Sequence, residues 1–192
     1  MAGRPRSELA REAILKTALE IVRDRGFAQL TADGLAAAAG VGKQTIYRWW
    51  SSLGEVVLEA TREFARQVAA PETGSLEGDL AALLTNTFRH GRGPSSMQTV
   101  LRGLMAQAQL DPELAPKFAV FIEERRNVLR GVLLRHVPPG HHDDLEAAVD
   151  MIFGAMWYRM LVGHAPLDAA FARTLARLAA APHRGRGGRD AC

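Results

Sequence analysis

Residues 31–50, TADGLAAAAGVGKQTIYRWW, constrain this chain more than any other stretch, because their caps and spacing specify two short helices folded across a tight turn. The Thr31 hydroxyl is placed to accept a free N–H of the first helical turn, and Asp33 sits where a negative charge suits the helix dipole. Leu30 and Leu35 have the spacing of a hydrophobic staple across that cap. Leu35 to Ala39 follow with high helix propensity and little bulk, so that a second helix can approach closely. Gly40 suits the left-handed conformation that ends a helix, Val41 an inward plug, and Gly42 the opening of the next helix. In that second helix, Lys43 to Trp50, Ile46 and Trp50 share one face at a four-residue interval, while Lys43, Gln44, Thr45, Tyr47, Arg48 and Trp49 project elsewhere. The result is a helix-turn-helix with the partition a recognition helix needs: an apolar side that holds it on the domain, and donors and acceptors that fit the major groove. Ordinary helical hairpins share this spacing, so the residues leave open a helical enzyme or adaptor that uses the N-terminal region for protein contacts.

Thr31, Ala36, Ala39-Gly40-Val41, Lys43, Thr45, Ile46, Tyr47 and Trp50 together resemble the signature of the TetR/AcrR family of bacterial transcriptional regulators. The resemblance implies a DNA-binding domain over the first third of the chain, a helical domain for a small-molecule effector behind it, and a homodimer. Three positions depart from the family pattern. Gly42 stands where serine is usual, which removes a side-chain cap at a cost of roughly a few tenths of a kcal/mol. Trp49 stands in place of a common histidine, and Leu53 in place of a lysine that contacts phosphate.

Charge placement agrees with an N-terminal DNA-binding part. Residues 1–50 hold eight Lys/Arg and five Asp/Glu, whereas the other 142 hold sixteen of each, so the whole formal excess of +3 lies with the first part. A modest excess on one small domain serves a phosphate-contacting surface, since affinity for duplex DNA comes largely from counterion release. The segment Gly3-Arg4-Pro5-Arg6 offers Arg4 and Arg6 as an extended arm for the backbone or an adjacent minor groove. The first residues contain no uninterrupted apolar segment, long apolar runs are absent, and the single cysteine is Cys192; the chain is read as cytoplasmic, with no membrane span and no intramolecular disulfide.

Along the chain the pattern predicts an all-α fold of about nine helices. Residues 7–25 carry Ala10, Ile14, Ala18, Ile21 and Val22 at helical spacing, and Gly26 offers a left-handed cap. With the helix-turn-helix this makes a three-helix domain, and a fourth helix is expected over 53–68. The break Ala70-Pro71-Glu72-Thr73-Gly74 sets the domain boundary, giving 1–70 for DNA binding and 71–182 for ligand binding and dimerisation. Further helices are predicted over 76–90, from Pro94, over 112–136, from Asp143 or Asp144 to 162, and over 167–180. The tail 183–192, with arginines among glycines, reads as a disordered basic end.

Candidate sites follow. Lys43, Gln44, Thr45 and Arg48 are placed for base edges or nearby phosphates, and Thr31, Tyr47 and Trp49 for the DNA backbone. Phe88, Met105, Phe118, Phe121, Ile122, Met156, Trp157 and Tyr158 supply aromatics and soft side chains for a largely apolar effector, with Arg125 or Arg159 to orient an acidic one. Such stripes are also what a plain core looks like. The two last helices are apolar on more than one face, and a second copy of the chain supplies the missing partner; the family's arrangement is a four-helix bundle. His141-His142-Asp143-Asp144 is better read as helix capping than as a metal site, and no phosphate loop, nucleophile elbow or Cys–base pair points to catalysis or a cofactor.

Overall fold

The computed structural model describes residues 6–68, 71–89, 97–136 and 142–181, with the side chains of 6 and 142–144 excepted. Among the described residues the chain forms nine α-helices, one short 3-10 turn and no strand. Its contacts divide it into two compact units: residues 1–67 with 92–121, and residues 68–91 with 122–192.

The first unit is built on α1 (Arg6–Arg25), whose buried stripe Ile14, Leu15, Ala18 and Val22 packs on α2 (Ala32–Ala39) and α4 (Leu53–Ala65). Between α1 and α2 the sequence predicts a simple left-handed cap. Gly26 instead holds φ 84° with ψ 162°, a conformation open only to glycine, and launches a 3-10 turn over Phe27–Gln29. That turn seats Phe27 on α6 (Met97–Leu110), where a Cβ at Gly103 would come within 3.0 Å of the Phe27 Cβ. α3 (Lys43–Trp49) completes the helix-turn-helix.

α7 (Leu114–Leu134) is one unbroken helix whose residues to Phe121 belong to the first unit and whose remainder belongs to the second. Asp111 caps it as expected, its Oδ1 accepting from the amides of Glu113 and Leu114 at 2.9 and 3.1 Å, but the regular helix begins two residues after Pro112, at Leu114, because Pro116 has no N–H to bond the Pro112 carbonyl. The last helix, α9 (Ala169–Ala180), likewise begins after Asp168, whose side chain accepts from the Phe171 amide, and not at Leu167. α4 ends at Ala65, short of the predicted Val68, with Arg66 as its cap.

In the second unit α5 (Leu76–Arg89) lies along α9, with Leu80, Leu83 and Leu84 buried on one and Ala172, Leu175, Ala176 and Ala179 on the other. α8 (His142–Val162) exchanges ion pairs with α7, where Arg126 and Arg130 both meet Glu146. The unit also buries a carboxylate. Asp79 is 1% exposed and accepts from His136 Nε2 at 2.8 Å, from the Thr73 hydroxyl and amide, and from Arg135 Nη2 at 3.1 Å, while Arg135 also donates to the Pro71 carbonyl. The hydrogen bond from His136, then that from the Thr73 amide, hold the Asp79 carboxyl well below the usual carboxylate range against the opposing effect of burial.

A group depressed in this way contributes stability that is complete above its ordinary pKa and is lost as the pH falls towards the depressed value. Asp79→Asn is therefore expected to cost about 3 kcal/mol at neutral pH. In urea titrations the gap between variant and parent should stay constant above about pH 5 and close progressively below about pH 4. A gap that ignored pH would show that the carboxylate charge contributes nothing.

Candidate nucleic-acid interface

The site is assembled locally. Thr31 Oγ1 accepts from the Gly34 amide at 3.1 Å, and Leu30 and Leu35 are both buried beside that cap. Gly40 adopts φ 67°, ψ 33°, which lets the Val41 amide close back onto the Ala36 carbonyl at 3.0 Å and turns the chain. Gly42 is different: at φ −77° it uses no glycine-only conformation, and a Cβ there would meet only Thr45 Oγ1, 4.0 Å away. Gly42→Ser is therefore expected to supply the missing cap of α3, raising stability by roughly a few tenths of a kcal/mol and the Tm by about 1 °C in a thermal melt. A lower Tm would mean that the serine finds no amide to bond.

α3 turns Ile46 and its C-cap Trp50 into the core and leaves Lys43, Gln44, Tyr47 and Arg48 exposed, with Thr45 and Trp49 half-buried. Lys43 Nζ lies 3.1 Å from Asp33 of α2, a solvated pair that costs little to exchange for a phosphate. Arg48 rests its guanidinium 5.2 Å from the centre of the Trp49 ring, and Trp49 meets Trp50 edge to face at 5.5 Å. Behind the exposed face, Trp50 Nε1 donates to Glu59 of α4, and Glu59 and Glu63 both take Arg11 of α1. The first half of α4 is tied in as well: Glu55 accepts from the Ser51 amide at 3.1 Å, from the Ser51 hydroxyl at 2.6 Å and from Lys117 of α7. Partial burial works against the Glu55 carboxylate, but these hydrogen bonds outweigh it and hold its pKa below the usual range.

Sequence reasoning missed this acidic row. Glu55, Glu59 and Glu63 recur every four residues on α4, a spacing that places all three on one face and could have flagged them. Arg4 lies outside the described residues, as does the Arg6 side chain.

The candidate effector side chains fall in both units. In the first, Phe118 and Phe121 are buried with their ring centres 6.1 Å apart, and Met105 is half-buried. In the second, Phe88 is buried and stacked 6.0 Å from Phe171, while Ile122, Met156 and Trp157 are half-buried. Arg125 is half-buried on α7 between Phe121 and Leu129, and burial pulls its guanidinium pKa down against the nearby Glu124. Arg159 is engaged by the chain itself, donating to the Pro166 carbonyl at 2.9 Å and lying 3.4 Å from the Phe171 ring centre. Tyr158 points outward, 61% exposed, against His164. Among the described residues no three acidic, His or Cys side chains gather as metal ligands, and no helix is long and apolar enough to cross a membrane. His141 and the side chains of 142–144 lie outside the described residues, as do 183–192.

Residues 14–60 match the family model for bacterial regulatory proteins of the tetR family, and residues 70–179 match that for the tetracyclin repressor-like C-terminal domain. The HTH-type transcriptional regulator YdeS of Bacillus subtilis is 33% identical over 178 residues, covering 90% of this chain and 89% of its own. Among solved structures, the TetR family regulator SCO0332 superimposes with a TM-score of 0.71 at 31% identity, over 88% of this chain and 96% of that one. The regulator FadR from Bacillus subtilis, solved in complex with stearoyl-CoA, gives 0.69 at 20% identity over 88% and 96%, a likeness of fold.

Proposed function

We propose that this chain, which belongs to the TetR family and is a DNA-binding transcriptional regulator and not an enzyme, represses transcription in the cytoplasm as a homodimer on a palindromic operator and is released by a small, largely apolar effector. The observation that carries the reading is the partition of α3: Ile46 and Trp50 are buried, and the polar side chains Lys43, Gln44, Tyr47 and Arg48 face solvent together. Thr45 and Arg48 with Lys43 and Gln44 take base edges or adjacent phosphates, Thr31, Tyr47 and Trp49 the backbone, and Arg4 and Arg6 extend the grip.

Residues 1–70 form the DNA-binding part, 71–182 the effector and dimer part, and 183–192 a basic tail. The effector is supported by aromatic and methionine side chains at helical spacing in each unit, Met105, Phe118 and Phe121 in the first and Phe88, Met156 and Trp157 in the second, and by the long acyl chain of the stearoyl-CoA bound to FadR, which shares the fold. The dimer is supported by the faces α8 and α9 leave open. Ala147, Met151, Gly154, Tyr158 and Leu161 are all exposed at alternating intervals of four and three residues, and Leu178 is exposed on α9. A two-fold axis there places two recognition helices roughly one DNA turn, about 34 Å, apart or somewhat more. An effector acts by binding the state that does not fit the operator more tightly, so its power is limited by that difference in affinity.

Selection of genomic fragments with purified protein, followed by titration of the best fragment at two salt concentrations, tests the reading. Recovery of one palindrome, bound with steep salt dependence, is the expected result. Binding without sequence preference, with and without candidate small molecules, overturns it.

A further inference from the structure

The recognition helix is gripped at its exit by two glutamates one turn apart on α4, and the two report to different parts of the chain. Glu59 takes the Trp50 indole and is itself held by Arg11, so it fixes the helix to α1. Glu55 takes both the amide and the hydroxyl of Ser51, the residue after Trp50, and is held by Lys117 from the first turns of α7. Its side chain is only 14% exposed. The same turns of α7 make a second contact on the first turn of α4, because a Cβ at Gly54 would lie 2.7 Å from the Leu114 side chain. α7 thus seats on the first turn of α4, behind the recognition helix, through an apolar contact and an ion pair three residues apart on α7. Lys117, Trp49 and Trp50 also line one open cleft of about 350 Å³, which gives the Lys117–Glu55 pair room to part without disturbing the core.

We propose that Glu55 is the positioning residue of the recognition helix, and that α7 sets it through Lys117. When Lys117 is drawn away, Glu55 loses one of the hydrogen bonds that together outweigh its burial, and its hold on Ser51 slackens; the end of α3 then keeps the Trp50–Glu59 bond and the buried Trp50 ring. The candidate effector side chains Phe118 and Phe121 of the same unit follow Lys117 on the same helix. On the reading that an effector binds among them, a turn or a slide of α7 is the motion that reaches the DNA face. The coupling itself stands without that reading.

Hydrogen exchange of the full-length protein, followed peptide by peptide without DNA, tests it. Lys117→Met is expected to speed exchange of the amides over 47–51 by about tenfold, the loss of one charge-assisted hydrogen bond, with α1 and α9 unchanged. Lys117→Arg should restore the parent rate. Glu55→Gln should match Lys117→Met, and the double variant should be no faster than either single one, because both remove the same link. Unchanged exchange over 47–51, additive effects of the two substitutions, or a rise spread evenly over the whole chain would each overturn the proposal. Titration of the selected fragment reports separately: failure of every variant and the parent to bind DNA removes the regulator reading and leaves the coupling to be judged on exchange alone.

Discussion

Arg48→Ala is expected to abolish specific operator binding at physiological salt while leaving the melting curve where it was. Arg48 lies on the exposed face of α3, stacked over Trp49, and holds none of the core that Ile46 and Trp50 fill. A base-edge or phosphate contact of this kind is worth about 1–3 kcal/mol. The proposed two-fold operator counts it twice, so the loss is about 2–6 kcal/mol, or about thirtyfold to twenty-thousandfold in affinity. Titrating the selected fragment against a scrambled one separates the two roles. If Arg48 reads a base edge, the variant loses its preference between the fragments. If it holds phosphate, the preference stays and the salt dependence flattens by about one counterion per half-site. Tyr47→Phe, which removes one hydroxyl from a half-exposed ring, should follow the phosphate pattern with a smaller loss. Undiminished binding by both variants would mean that α3 does not face the DNA.

What made this face legible in the sequence was its locality. The Thr31 cap, the left-handed Gly40 and the Ile46–Trp50 interval lie within twenty residues, and each acts on its neighbours three or four positions away, where spacing along the chain is spacing in space. The grip behind it was not legible, because Arg11–Glu59 and Glu55–Lys117 join residues 48 and 62 positions apart, and nothing local to either partner specifies the other. The start of the last helix slipped because Asp168 captures the Phe171 amide three residues on, and that bond decides the first turn over the hydrophobic pattern.

The effector residues were the hardest to read, for a physical reason. A Phe or Met that lines a pocket and one that fills a core are chosen by the same apolar spacing. Only packing separates them, as when Phe88 meets Phe171 and Tyr158 turns outward. The packing of α6 was no easier to read: Gly103 gives Phe27 a seat that only a residue without a side chain provides, and the two lie 76 positions apart.

On the homodimer proposed above, Met151→Glu and Leu161→Glu should each give a monomer at micromolar concentration, seen by sedimentation, with helical content unchanged. Both side chains are about half exposed in the single chain, 49% and 51%, so a carboxylate at either position is solvated in the protomer and costs its fold little. In the proposed dimer a two-fold axis would double each substitution and strip water from both charges. An unpaired buried charge costs about 3–5 kcal/mol, and two per interface would raise the dimer dissociation constant by at least about ten-thousandfold. Gly154, exposed between them with no atom within 4 Å of a Cβ, would let a helix of the proposed second copy approach closely. Gly154→Leu should therefore weaken the dimer through bulk alone, without charge, and the agreement of the three variants would locate the seam. The monomers also bear on the DNA reading. A chain that keeps its α3 but loses its partner binds one half-site, so the palindrome should be bound no better than a single half of it. A monomeric variant that still preferred the full palindrome would place the dimer contacts on the DNA, and α8 would then be an ordinary solvent-facing helix.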